Sequence, residues 1–107
     1  MLINIYGEQC CITGESVSAV LDAAHIQEYI SEESDHPQNG LLLRSDIHRL
    51  FDSGFITIDE EYKVRISKAL TSKEYKQLNG VQLIFKGQDR PSLIALKWHR
   101  DKVFRGE

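Results

Sequence analysis

Ser31 to Gly40 reads Ser-Glu-Glu-Ser-Asp-His-Pro-Gln-Asn-Gly, a stretch with almost nothing to bury, and it divides the first half of the chain into two apolar segments. Residues of this kind occupy exposed loops, so a core must form by bringing the flanking segments together. Before the loop, Val17 to Ile26 is apolar and small, follows the turn-formers Thr13-Gly14-Glu15-Ser16, and reads as an extended segment ending near His25. After it come Leu41, Leu42 and Leu43, then Ser45 as a helix N-cap with Asp46 in the first turn. Ile47, Leu50 and Phe51 follow at helical spacing, and Gly54 is the stop.

Beyond that helix, Phe55 to Ile58 and Tyr62 to Ile66 alternate apolar with polar around Asp59-Glu60-Glu61, the pattern of a small hairpin. Ser72 to Leu78 is expected as a short helix closed by Asn79-Gly80, with a strand through Val81 to Phe85. Pro91 in a first-turn position, then Leu93, Ile94, Leu96, Lys97, Trp98 and Phe104, predict an amphipathic C-terminal helix. Spacing from Ile94 puts Trp98 in the core and His99 in solvent. At 107 residues the chain fits one domain, 1–107, with a core over about 17–54 and accessory strands and helix over 55–107.

Several classes are disfavoured. No apolar run is long enough to span a bilayer and Met1 to Gly7 lacks the features of a signal peptide, which gives a cytoplasmic expectation. Cys10 and Cys11 are adjacent, so they do not bridge each other, and no second pair exists to complete a four-cysteine zinc site. They read as small buried residues. The net charge of -3 conceals a division. Residues 1–66 carry four Lys and Arg against twelve Asp and Glu, whereas residues 67–107 carry nine against four. Two solvated faces account for this; so does an acidic metal-holding half beside a basic phosphate-gripping half.

His25 lies at the end of the first extended segment, Asn39 fourteen positions on, and His48 twenty-three positions on, inside the helix. Asp52 comes four residues after His48, so both project from one helix face, as paired helical metal ligands do. A carboxylate in the last helical turn opposes the macrodipole, and a bound cation offsets that cost.

These residues sit in longer strings. Cys10-Cys11-Ile12-Thr13-Gly14, Asp22-Ala23-Ala24-His25-Ile26 and Asn39-Gly40-Leu41-Leu42-Leu43-Arg44, running into Asp46-Ile47-His48-Arg49-Leu50-Phe51-Asp52, resemble the HNH endonuclease family, in the branch found as nuclease domains of restriction and defence proteins. The resemblance implies an α+β fold with a ββα-metal core, here with an added β-hairpin and a C-terminal helix. It implies His25 as general base, Asn39 as the residue that ties the loop and orients the site, and His48 as metal ligand, with Asp52 where relatives carry another. Many members place a ligand immediately before the first His, where this chain has Ala24; Asp22, on the same strand face as Ala24, is the candidate replacement, directly or through water.

The resemblance further implies metal-dependent hydrolysis of DNA leaving 3′-hydroxyl and 5′-phosphate ends, in restriction or anti-phage defence. One imidazole with one or two carboxylates suits Mg²⁺ or Mn²⁺ and also accepts Zn²⁺ or Ni²⁺, with Mg²⁺ the expectation in the cell. Arg44 and Arg49 are the candidates for phosphate contact in the acidic half, and Lys97 and Arg100 in the basic half, all sequence-blind. Target recognition is expected elsewhere, as in a separate domain of a longer parent protein, and a double-strand cut leaves room for a homodimer. The competing readings are a non-catalytic DNA- or protein-binding module with a structural metal, and an RNA-cleaving relative.

Overall fold

The computed structural model describes residues 2–27 and 36–106. Among the described residues eight α-helices and β-strands occur in order: α1 (Leu2–Tyr6), β1 (Leu21–His25), β2 (Gly40–Arg44), α2 (Ser45–Asp52), β3 (Ile56–Ile58), β4 (Val64–Ile66), α3 (Lys73–Lys76) and α4 (Leu93–Lys102). This is a small α+β architecture built on two antiparallel hairpins, β1–β2 and β3–β4. Among the described residues no helix is long and apolar enough to cross a membrane.

β1 and β2 pair from Leu21 opposite Arg44 to His25 opposite Gly40. Leu41 and Leu43 are fully buried, and Leu42, on the opposite face of β2, nearly so. β1 lies on one edge, and on the other the Cys11 amide donates to the Leu42 carbonyl at 2.8 Å. The buried Tyr6 hydroxyl donates to the Gly40 carbonyl at 2.8 Å and fastens α1 to the start of the strand. Both cysteines are free thiols in this core, and burial pushes the Cys11 thiol upward.

α2 runs straight out of β2. Its apolar positions Ile47 and Phe51 are one turn apart and fully buried, and each such side chain contributes about 1.5–3 kcal/mol on leaving water. The expected N-cap role of Ser45 is not what forms. Arg44 holds the cap position, and the Ser45 hydroxyl instead donates to the Val20 carbonyl at 3.2 Å, tying the helix start to the approach of β1. Gly54 does end the helix: its φ of +84° suits glycine, and an added Cβ would lie 2.2 Å from the Val103 carbonyl oxygen.

Four further expectations change. The extended segment from Val17 begins as a 3₁₀ turn at Ser18–Val20, and the strand starts only at Leu21. Val81 to Phe85 forms no regular strand but runs beside β4 through single backbone bonds, such as the Leu83 amide to the Tyr62 carbonyl at 2.9 Å. β3 does not alternate; Ile56, Thr57 and Ile58 are all buried, because α4 covers the face that Thr57 occupies.

The fourth correction explains the third. His99, expected in solvent, is 1% exposed, while Trp98, expected in the core, is only half-buried and Ile94 is 81% exposed. The His99 ring lies flat on Phe51, with centroids 3.7 Å apart. Its Nδ1 bonds the Thr57 hydroxyl at 2.7 Å and its Nε2 bonds the Phe51 carbonyl at 2.8 Å. Those contacts rotate α4 so that Ala95, Leu96 and His99 face inward. Because a carbonyl only accepts, Nε2 carries the proton and Nδ1 accepts from Thr57. Burial accordingly holds the His99 pKa down at about 4, against the pull of the Phe51 carbonyl.

Candidate active site

The pleat of β1 separates its side chains into two sets. Asp22 and Ala24 turn toward α2, with Ala24 1% exposed. Ala23 and His25 turn the other way. His25, exposed at the last position of β1, lines a groove of about 440 Å³ together with Ala23, Leu42, Leu2, Ile3 and Pro37. The predicted site residues therefore divide between the two faces of one hairpin.

On the α2 face three of them meet. His48 Nδ1 is 2.9 Å from Asp22 Oδ2, and His48 Nε2 is 3.1 Å from Asp52 Oδ2. The one-turn helical spacing brings Asp52 to His48. Asp22 arrives because β1 pairs it opposite Leu43, two residues before α2 begins. The cluster is partly open, with the His48 side chain 26% exposed, Asp22 40% and Asp52 59%.

At the other end of the hairpin Asn39 joins the two sides of the polar loop. Its Oδ1 accepts from the Gln27 amide at 3.0 Å, its Nδ2 donates to the Gln27 carbonyl at 3.2 Å, and its own carbonyl accepts from the Ile26 amide at 2.9 Å. Asn39 is buried, and His25 stands two residues before Gln27 on the strand it secures. Residues 28–35, most of the predicted loop, lie outside the described residues.

The four basic candidates are placed unequally. Arg44 donates twice to Asp46, Nε to Oδ1 at 2.6 Å and Nη2 to Oδ2 at 2.9 Å, and the Tyr75 hydroxyl donates to the same carboxylate at 2.7 Å. This guanidinium holds the Asp46 carboxyl at about 2. Arg100 donates to the Ile58 carbonyl at 2.8 Å and lies 3.7 Å from Glu60. Lys97 pairs with Asp101 one turn on at 2.6 Å. Only Arg49 among the four is an exposed side chain next to His48 on α2.

The donor set can be tested against a divalent cation. Two ligands at right angles on an octahedral ion, each about 2.1 Å from the metal, stand about 3 Å apart. The 3.1 Å between His48 Nε2 and Asp52 Oδ2 matches that spacing. The carboxylates flank opposite ring nitrogens, so only two protein donors face one point, and among the described residues no group of three or more His, Cys, Asp or Glu forms a cage. An open two-donor site fits an ion that retains water or substrate oxygens.

Helical spacing anticipates the closeness of Asp52 to His48 that the structure shows, and strand alternation gave Asp22 as a candidate on the face where it meets His48. They missed Tyr75 on Asp46, which joins residues far apart in the chain and has no local signal, and they missed His99 as an anchor behind the site.

A family model described as HNH endonuclease matches residues 10–59. A search of curated proteins finds no match. Among solved structures, a modification-dependent TagI restriction endonuclease superposes with a TM-score of 0.55 at 20% identity, over 90% of this chain and 33% of that one. The similarity extends past the family match into the C-terminal elements and reflects fold. This chain spans one third of that enzyme. With the Asn39-to-Asp52 string inside the matched region, residues 10–59 of this chain match the HNH endonuclease family.

Proposed function

We propose that the protein is a metal-dependent endonuclease that hydrolyses DNA phosphodiester bonds in restriction or anti-phage defence. The observation that carries this reading is the 3.1 Å pair of His48 Nε2 and Asp52 Oδ2, set inside an HNH-matching region. In this reading His48 and Asp52 hold the cation, with Mg²⁺ the physiological choice. A divalent ion held there would supply Lewis-acid stabilisation of the charge that develops on the phosphate.

The chain's own residues do the rest. His25 takes the proton from the attacking water, the substrate reaching it across the end of β1, because its ring lines the groove on the face of the hairpin away from His48 and Asp52. Asn39 fixes the strand end that carries His25, through its bonds to Gln27. Arg49 is the phosphate contact beside the cation, since Arg44, Lys97 and Arg100 have acidic or carbonyl partners within the protein. The core is a ββα-metal unit of β1, β2 and α2, within a single domain over residues 1–107. The restriction setting draws support from the likeness to a modification-dependent restriction enzyme of which this chain spans a third. That proportion also supports target recognition by a separate domain or partner, with a second copy supplying the other active site for a double-strand cut.

Plasmid cleavage with and without Mg²⁺, scored for nicked and linear products, tests the proposal. His25→Ala should slow cutting by roughly 10²–10⁴-fold while leaving metal binding intact. If the unmodified protein cuts no DNA with Mg²⁺, Mn²⁺ or Ni²⁺, the catalytic reading fails and a binding module with a structural metal remains. Faster cutting of RNA than of DNA would instead move the substrate class.

A further inference from the structure

We propose that Asp22 acts on His48 and not on the metal: it keeps the ring proton on Nδ1, so that the Nε2 lone pair is presented beside Asp52. Asp22 is then the positioning residue of the cation site. This rests on the reading of His48 and Asp52 as the protein's ligands.

The imidazole's own bonding capacity sets the constraint. A neutral ring has one N–H and one lone pair, and an ionised carboxylate only accepts. Asp22 Oδ2 at 2.9 Å from Nδ1 is satisfied if Nδ1 carries the proton. Nε2 then has a lone pair facing another acceptor, Asp52 Oδ2, at 3.1 Å. Two acceptors at that distance are reconciled by a second ring proton or by a cation bound to both, and in the cation-bound form the remaining ring proton sits on Nδ1 facing Asp22. Since the two nitrogens point away from each other across the ring, an ion on Nε2 has the width of the ring between it and the Asp22 oxygen on Nδ1.

The reverse arrangement, with the ion on Nδ1 and Asp22, fits less well. Asp52 is 59% exposed and Asp22 40%, so the Nε2 side is the more open to water and a phosphate oxygen. Asp22 is also the more firmly placed carboxylate. It sits within a paired strand opposite Leu43, and the Ser45–Val20 bond ties that strand's approach to the first turn of α2. A carboxylate on a rigid strand suits a residue whose task is to set the tautomer and orientation of its neighbour. The same role accounts for how the chain manages with Ala24 where many HNH sequences have a ligand: Asp22 improves a remaining ligand without replacing the missing one.

Zn²⁺ serves as the probe for two measurements. In ¹⁵N-labelled protein loaded with Zn²⁺, long-range ¹H–¹⁵N correlation should show His48 with its proton on Nδ1 and the metal on Nε2. By calorimetry, Asp22→Ala should weaken Zn²⁺ binding by roughly 10–100-fold. Asp22→Asn, whose amide oxygen still accepts from Nδ1, should retain most of the affinity, and Asp52→Ala should lose nearly all of it. Zn²⁺ on Nδ1, Asp22→Asn falling as far as Asp52→Ala, or Asp22→Ala binding as tightly as the unmodified protein would each overturn the inference. The spectrum of the unmodified protein decides the matter even if the alanine variant does not fold. Failure of the unmodified protein to bind Zn²⁺, Mn²⁺ or Mg²⁺ at all would overturn the underlying cation reading instead.

Discussion

His48 and His99 are the same side chain in opposite settings. His48 sits at a partly open surface with a carboxylate on each ring nitrogen. His99 is sealed in the core against a hydroxyl, a carbonyl and the face of Phe51. Carboxyl partners and an open side make the first a candidate for holding a cation. Neutral partners and burial make the second a structural post that favours the uncharged ring. Partner charge and water access, and not residue type, separate the proposed site from the architecture in this fold. The two are also linked, because His99 grips the carbonyl of Phe51, the residue before Asp52.

The largest expected effect tests the first half of this contrast. Removing the His48 ligand by His48→Ala takes several kcal/mol from the cation's contribution, so plasmid cleavage should fall by on the order of 10³-fold. The unfolding midpoint should move little, since the side chain is not a core post. A large drop in stability would show that His48 is architectural after all.

His99→Ala should do the reverse. It opens a cavity beneath Phe51 and orphans a buried carbonyl and hydroxyl, at a cost of about 3 kcal/mol in denaturant unfolding. A cost under about 1 kcal/mol would mean that α4 is held by other contacts.

The same residue sets an acid limit. With a folded pKa of about 4 and an unfolded value of 6.5, His99 binds its proton more readily when unfolded. Its contribution is therefore complete above pH 6.5 and declines as pH falls toward 4, by roughly 3 kcal/mol at about 1.4 kcal/mol per unit. Asp46, held at about 2 from an ordinary 3.8, adds a loss only below that window. Unfolding scans of the unmodified protein and of His99→Ala between about pH 4 and 7 should differ in slope; parallel slopes would sink the assignment.

The smallest effect concerns the tail. Arg105 Nε donates to the Ser53 carbonyl at 2.8 Å, its guanidinium lies 4.5 Å above the Phe55 ring, and its amide donates to the Gly54 carbonyl at 2.8 Å. Arg105→Ala leaves the amide bond and should cost about 1 kcal/mol, read by thermal unfolding.

Legibility in the sequence tracks the range of the forces involved. α2 was readable to within a residue, because the Ile47–Leu50–Phe51 spacing and Gly54 are local signals. The β3–β4 hairpin was readable for the same reason, with Asp59 closing the turn onto the Glu61 and Lys63 amides. The rotation of α4 was not readable. By hydropathy Trp98 belongs inside and His99 outside, and only Thr57 and the Phe51 carbonyl, more than forty residues away in sequence, reverse them. Arg44 shows the same limit, since its commitment to Asp46 is sealed by Tyr75 from a distant helix. In the site, the spacings of Asp22, His48 and Asp52 were visible, whereas which ring nitrogen each carboxylate faces is a three-dimensional fact.

The paired hydrogen bonds between Asn39 and Gln27 have a consequence for engineering. Both ends of the polar segment are clasped to each other through one amide side chain and the adjacent strand pairing, independent of what lies between them. Lengthening a chain between fixed ends adds only about 0.6 kcal/mol for each doubling of length. The segment is therefore a natural graft point, where a peptide chosen to read a DNA feature could be spliced beside the proposed site residues while Asn39 keeps the splice from spreading into the strands.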